Sequence, residues 1–195
     1  MVEIDAAEQQ TRERGLAHKV NFVRGDFHEL NFSADSFDVV WSQDSFMYGA
    51  DKVRILREAS RVLKPGGVLN FTDILVRSEL APALRHRLYE RVRTPEMWDS
   101  TRYLRALLDL GFTIQRMEDW SQYVEASYAA ALAETLRRRE ELSENLGAQT
   151  ISRTVEGLTF WVEMAKRSDV GWAFFVARKP LVARDREKFD ERAGR

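Results

Sequence analysis

The sequence predicts an α/β fold, a sheet with helices on both faces, from two observations. Short apolar runs at residues 37–41 and 68–72 are each followed by polar residues, as buried strands are. Between them, residues 51–63 carry an apolar helical face that ends at Lys64-Pro65-Gly66-Gly67. Strand, amphipathic helix, glycine stop and strand together predict a βαβ unit. Its two strands should be parallel and buried on both faces.

Polar residues follow both predicted strands at their carboxyl ends. Residues 42–44 follow the first strand, and Asp73 follows the second. In parallel sheets, ligands bind beyond the carboxyl ends of the strands. The pattern therefore predicts a small-molecule site at this edge rather than a surface patch.

The composition is that of a globular domain without metal or disulfide. At 195 residues, one domain with a sizeable core is the simplest interpretation. A formal net charge of −1 gives no general attraction to nucleic acid or anionic membranes. No cysteine is present and the three histidines are scattered, which predicts no disulfide, thiolate catalysis or metal site. With no apolar span and no signal segment, we expect a cytoplasmic protein.

Several motifs in order resemble those of one enzyme family. The segments SFDVVWSQD, LKPGG and FTD resemble the fourth and fifth strands of class I S-adenosylmethionine-dependent methyltransferases. The later segments WVEMAKR and GWAFFVARKP extend the resemblance to the sarcosine/dimethylglycine N-methyltransferases of glycine betaine synthesis. Phosphoethanolamine N-methyltransferases match less well. The resemblance covers about Val2 to Pro180 and implies a Rossmann-like sheet, S-adenosylmethionine as cofactor and a small amine as methyl acceptor.

The resemblance assigns cofactor contacts to five residues. It implies that Asp5 ends the second strand and binds the ribose hydroxyls, although Asp5 could also be only a helix cap. It places Asp26 on the adenine amine and Phe27 beside the adenine ring, where a simple turn is the alternative. Ser42 and Gln43 would contact the methionine half of the cofactor.

The resemblance also assigns catalytic positions to Asp44 and Tyr48. In the phosphoethanolamine branch, the residue that matches Asp44 works with a histidine four positions on, and here that position is Tyr48. A tyrosine, with a pKa of about 10, is a poor base near neutrality. The alternative is that Asp44 only caps the following turn. If the site is complete, Asp44 orients the amine and stabilises the ammonium that forms.

Further substrate contacts are not singled out by the sequence. A methylated ammonium favours aromatic surfaces, and a substrate carboxylate favours an arginine. The tryptophan candidates are Trp41, Trp98, Trp120, Trp161 and Trp172, and the arginine candidates are Arg77, Arg85, Arg87, Arg91, Arg93 and Arg153.

The glycine-rich cofactor turn of the family, an acid followed by G-x-G-x-G, is not found in the sequence. In the family, this turn follows the first strand, which lies between the second and the fourth. We therefore expect an N-terminally truncated sheet with an open edge. Three explanations of the missing turn remain open: a longer parent protein, a decayed non-catalytic remnant, or strand exchange in a homo-oligomer. For the reaction, an O- or C-methyltransferase remains an alternative. A dinucleotide oxidoreductase would also need a glycine-rich turn.

The remaining elements are predicted from periodicity. We expect a strand stub at residues 1–5, a helix at 6–14 and a strand at 20–24. We expect helices at 74–97, 100–110, 123–145 and 150–167, and strands at 112–117 and 171–177. The domain would span 1–180, with helical lid regions at 74–99 and 121–168, followed by a charged tail at 181–195.

Overall fold

The structure is a computed structural model that describes residues 2–77 and 79–181, so most of the predicted tail lies outside the described residues. The helices are α1 Val2–Glu13, α2 Lys52–Val62, α3 Pro82–Val92, α4 Ser100–Asp109, α5 Ser121–Arg137, α6 Arg139–Leu146 and α7 Ala148–Lys166. The strands are β1 Phe37–Gln43, β2 Leu63–Val76, β3 Thr113–Asp119 and β4 Val170–Arg178, and a short 3₁₀ helix covers Phe46–Tyr48.

The four strands form one mixed sheet in the order β1-β2-β4-β3. Strands β1 and β2 are parallel and joined through α2, which confirms the predicted βαβ unit. Strand β4 is antiparallel to both β2 and β3. The predicted stop at Lys64–Gly67 lies inside β2, because the chain enters the sheet directly after α2. Strand β2 also continues past Asp73 to Val76.

Helices cover both faces of the sheet, as predicted. Leu69 and Phe71 of β2 pack with residues of α2 and α4 in one core cluster. Ile74 and Val76 of the same strand pack with residues of α3, α5 and α7 in a second cluster. Odd and even positions of β2 face different cores because successive side chains of a strand alternate. Helix α2 begins where Asp51 accepts a 2.9 Å hydrogen bond from the Arg54 amide.

Strand β1 is less buried than the sequence predicts. It pairs with β2 on one side, and within the described residues no strand pairs with its other edge. As a result, Val39 is 53% exposed and Trp41 is 61% exposed. The prediction of burial on both faces therefore holds for β2 and is wrong for β1.

Two predicted N-terminal strands are absent from the described residues. Residues 2–5 belong to helix α1, because the Ala, Glu and Gln residues that follow are strong helix formers. Asp5 is therefore an exposed helical residue and does not end a strand. Residues 20–24 form no strand, since no described strand pairs with them, and Val20, Phe22 and Val23 are exposed.

The helical regions differ from the prediction in extent. The predicted helix at 74–97 is only α3, because residues 74–76 extend β2 and Arg93 ends the helix in a left-handed conformation. The predicted helix at 123–145 is broken at Arg138 into α5 and α6, and both pack on α7. Val124 is buried there, whereas Leu136 is 46% exposed. Among the described residues, no helix is suited in length and apolarity to crossing a membrane.

Candidate active site

A cavity of about 330 Å³ lies where β1 ends, between the 3₁₀ helix and the helices of the second core. We call it the Asp44 cavity. It is lined by Asp44, Met47, Tyr48, Ile74, Arg91, Val92, Arg93, Tyr128, Gly157 and Trp161. The structure thus brings the two predicted catalytic residues, Asp44 and Tyr48, to one cavity. Its place at the carboxyl end of a parallel strand agrees with the edge that the sequence predicts.

Asp44 is held in this cavity by its neighbours. Its backbone is left-handed, with φ 48°, and its amide donates a 2.9 Å hydrogen bond to the Thr72 carbonyl. Its Oδ1 atom accepts hydrogen bonds from Thr72 Oγ1 at 2.9 Å and from Trp172 Nε1 at 2.8 Å. Both donors bind the same oxygen, so the orientation of the carboxylate is fixed while Oδ2 retains acceptor capacity. Non-glycine residues in this conformation are concentrated at functional sites.

An aromatic wall faces the same cavity. The rings of Tyr128 and Trp161 are stacked, with centroids 5.0 Å apart and planes 5° apart. Burial, followed by the nearby Asp44 and Tyr48, raises the pKa of Tyr128 to about 12. Tyr128 is therefore a neutral phenol at physiological pH. A stacked pair of electron-rich rings beside a carboxylate is suited to a cation.

Two arginines also line the cavity. Arg91 and Arg93 lie at the carboxyl end of α3 and line the cavity. Arg91 Nη2 donates a 3.1 Å hydrogen bond to the Arg153 carbonyl. The guanidinium crosses α7 at Gly157, where an added Cβ would lie 2.1 Å from Nη2. A glycine at this position therefore makes room for the arginine.

The structure does not bring the five predicted cofactor residues into this cavity. Asp26 Oδ1 accepts hydrogen bonds from the amide and from Nδ1 of His28, at 2.8 and 2.7 Å. The backbone hydrogen bond from His28 is the largest cause that lowers the pKa of Asp26. Phe27 packs against the first core cluster. The roles of all five, Asp5, Asp26, Phe27, Ser42 and Gln43, stay predictions.

Asp73, the polar residue that marks the predicted edge on the second strand, does not line the cavity. Its exposure is 0%, β2 continues beyond it, and its Oδ1 atom accepts a hydrogen bond from the Met47 amide. Sequence reasoning also missed Tyr128 and Gly157, and it did not single out Arg91 or Trp161 from its candidate sets. These residues come from three helices, α3, α5 and α7, so no single sequence spacing connects all of them.

The other aromatic and arginine candidates lie elsewhere. Trp98 is buried under the Arg102 guanidinium, and Trp120 stacks on Phe174. A second cavity, of about 820 Å³, lies beyond the end of β2 and contains Arg77. Its lining mixes bases with several acids, so it has no single preferred charge. Within residues 2–77 and 79–181, no group of three His, Asp or Glu side chains could hold a metal ion.

The sequence and the fold were compared with those of known proteins. Residues 2–71 match the family model described as a methyltransferase domain. A solved structure from Galdieria sulphuraria, provisionally assigned as a sarcosine dimethylglycine methyltransferase, superposes with a TM-score of 0.82. It is 24% identical and covers 90% of this chain and 64% of that chain. The chain has the class I methyltransferase fold.

Two further proteins match over similar lengths. The sarcosine/dimethylglycine N-methyltransferase of Halorhodospira halochloris is 33% identical over 171 residues, which are 88% of this chain and 61% of the relative. The structure of the [4+2]-cyclase SpnF has a TM-score of 0.75 at 26% identity, over 93% of this chain and 64% of that chain. The chain thus spans somewhat less than two thirds of the length of each of these three proteins.

Proposed function

We propose that the protein is an S-adenosylmethionine-dependent methyltransferase whose acceptor is a small amine that carries a carboxylate. One observation carries the proposal: the Asp44 carboxylate, the stacked pair Tyr128 and Trp161, and Arg91 line a single cavity. A methylated amino acid has a cationic end and an anionic end. The cavity offers a complementary group to each end.

The chain also carries acidic residues whose chemistry suits the cofactor, although they do not line the Asp44 cavity. By their chemistry, the Asp5 carboxylate suits the ribose hydroxyls and the Asp26 carboxylate suits the adenine amine, because a carboxylate accepts several hydrogen bonds. The lowered pKa of Asp26 keeps it an acceptor. When bound, S-adenosylmethionine would supply a methyl group that is already activated by its sulfonium charge.

The protein's own part in the reaction is to hold the amine. An amine that accepts a methyl group must be neutral when it attacks, and it carries a positive charge once methylated. Asp44, fixed by Thr72 and Trp172, orients the amine and stabilises the ammonium that forms. Such positioning can supply about 7–11 kcal/mol of the barrier reduction. A tertiary amine loses no proton, so Tyr48 need not act as a base.

Arg91 distinguishes this acceptor class from simple amines. Its guanidinium can bind a carboxylate through two hydrogen bonds. The relative from Halorhodospira halochloris is named for sarcosine and dimethylglycine, both of which carry a carboxylate. The proposal has three further parts. The pathway is glycine betaine synthesis, the location is the cytoplasm, and strand exchange between copies of the chain completes the sheet at the β1 edge.

The proposal is tested by incubating the 195-residue chain with S-adenosylmethionine and an acceptor panel. The panel is dimethylglycine, sarcosine and dimethylaminoethanol, which lacks the carboxylate, and S-adenosylhomocysteine is quantified. We expect turnover with dimethylglycine or sarcosine, and much weaker turnover with dimethylaminoethanol. Equal or faster turnover with dimethylaminoethanol would contradict the requirement for a carboxylate. A folded sample that forms no S-adenosylhomocysteine would favour the non-catalytic remnant.

A further inference from the structure

The peptide groups of Met47 are held by buried polar side chains. The Met47 amide donates a 3.2 Å hydrogen bond to Asp73 Oδ1. The Met47 carbonyl accepts from Lys52 Nζ at 3.4 Å and from Thr94 Oγ1. The exposures are 0% for Asp73, 2% for Lys52 and 6% for Thr94. Three buried polar side chains from three parts of the chain therefore converge on one backbone unit.

Burial of the ionisable side chains Lys52 and Asp73 is unfavourable for their charged forms. Burial lowers the pKa of Lys52 and raises the pKa of Asp73 to about 7. Lys52 is compensated by the carbonyls of Met47, Gly49 and Glu96, and Asp73 by the hydroxyl of Tyr103. Apolar side chains of similar volume would often be at least as stabilising in such a place. The role of these buried polar side chains is therefore to fix the position of Met47 rather than to add stability.

The set joins the two walls of the Asp44 cavity. One wall is the 3₁₀ helix, which follows Asp44 and contains Met47 and Tyr48. The other wall is the end of α3 with Arg91 and Arg93, and it runs directly into Thr94. Thr94 bonds across to the Met47 carbonyl, and Lys52 bonds to carbonyls on both sides. Separation of the walls would leave these buried groups unpaired, which is costly.

We propose that Lys52, Asp73 and Thr94 are positioning residues. Their hydrogen bonds to Met47 hold the 3₁₀ helix that follows Asp44 at a fixed distance from the end of α3, which carries Arg91. None of the three lines the cavity, so they act through Met47. The catalytic consequence rests on the proposed function: the carboxylate and the guanidinium must be held at the separation of the two ends of the acceptor.

The test compares Thr94→Val, which keeps the shape but loses the hydroxyl, with Thr94→Ser, which restores it. Leu107→Ala is the control for general destabilisation, because Leu107 is fully buried in the first core cluster. Hydrogen exchange is followed in peptides covering residues 44–50 and 91–97. We expect Thr94→Val to speed exchange in both peptides about tenfold, and Thr94→Ser to return it to the wild-type rate. Leu107→Ala should raise exchange most in a peptide covering α4. A Thr94→Val rise that is as large in the α4 peptide as in these two peptides would overturn the proposal.

Two further measurements support the test: hydrogen exchange in Lys52→Met, and kcat in the Thr94 variants. Lys52→Met removes the other donor to the Met47 carbonyl and must loosen the same two peptides. In the active protein, Thr94→Val should lower kcat for dimethylglycine more than it weakens S-adenosylhomocysteine binding, and Thr94→Ser should restore kcat. Hydrogen exchange needs no substrate. A chain without methyl transfer would refute the proposed function, and the exchange rates would still decide the positioning role.

Discussion

Trp172 Nε1 donates a 2.8 Å hydrogen bond to Asp44 Oδ1, which joins the start of β4 to the end of β1. Thr72, on the strand between them, donates to the same oxygen at 2.9 Å. The sheet order β1-β2-β4 places the three residues side by side, although Asp44 and Trp172 are far apart in sequence. The orientation of the carboxylate therefore depends on the folded sheet rather than on its own loop.

We predict that Trp172→Phe slows methyl transfer. The substitution keeps an aromatic ring and removes the donor to Asp44. A hydrogen bond to a charged group contributes about 1.5–3 kcal/mol, so kcat/KM should fall roughly 10- to 150-fold. The control is Trp120→Phe, which loses a similar bond to Glu118 outside the cavity. Equal losses in the two variants would show that Trp172 has no special role.

We predict that Gly157→Ala changes acceptor choice without loss of stability. The new methyl group would meet the mobile end of Arg91, and Ala is favoured over Gly in a helix by about 0.5–1 kcal/mol. The displaced guanidinium should raise KM for dimethylglycine about tenfold, equivalent to about 1.4 kcal/mol, and leave dimethylaminoethanol unaffected. Steady-state kinetics and urea unfolding measure both effects. Thr154→Ala, at an exposed position of the same helix, should change neither.

We predict that Asp73 makes stability fall as pH rises from about 4 to about 7. Burial raises its folded pKa from an ordinary 3.8 to about 7. Across that window the folded protein keeps a proton that the unfolded chain has lost, so higher pH favours unfolding, and the effect levels off above the folded pKa. The contribution is up to about 4 kcal/mol.

Urea unfolding at pH about 5 and about 8 checks this prediction. Asp73→Asn cannot lose a proton, so it should gain stability relative to the wild type as pH rises. Asp109→Asn, at an exposed position of α4, serves as the control. A constant difference between wild type and Asp73→Asn at both pH values would refute the expected titration.

We predict that Asp26→Ala abolishes binding of the adenosyl group while the chain stays folded. Asp26 is the proposed acceptor for the adenine amine. Calorimetric titration with S-adenosylhomocysteine measures the affinity, and circular dichroism checks the fold. The control is Glu29→Ala, because Glu29 is a nearby acid that pairs with Arg54. Unchanged affinity in Asp26→Ala would remove the adenine assignment.

The sequence predicts the βαβ unit well because its signals are local. The apolar run before Asp44 and the amphipathic face of α2 each fall within a dozen residues. The predictions were wrong where the structure of a segment depends on whether a neighbouring strand is present to pair with it. Residues 20–24 have strand composition but no described strand beside them, so their backbone is not recruited into the sheet.

The candidate site could be predicted only in part. Asp44 and Tyr48 follow a strand directly, and their place at its carboxyl end is general for such sheets. Trp172, Tyr128 and Gly157 come from later elements, whose packing on the cavity is set by the tertiary fold. Their contribution required the structure.

The Asp44 carboxylate is proposed to serve methyl transfer rather than cofactor binding or folding. The most direct measurement is the single-turnover rate of methyl transfer to dimethylglycine in wild type and Asp44→Asn, with S-adenosylhomocysteine affinity measured in parallel. Loss of a charged interaction of about 1.5–3 kcal/mol predicts a rate at least about tenfold lower, with affinity nearly unchanged. Equal rates in the two proteins would contradict the account and leave Asp44 as a structural cap.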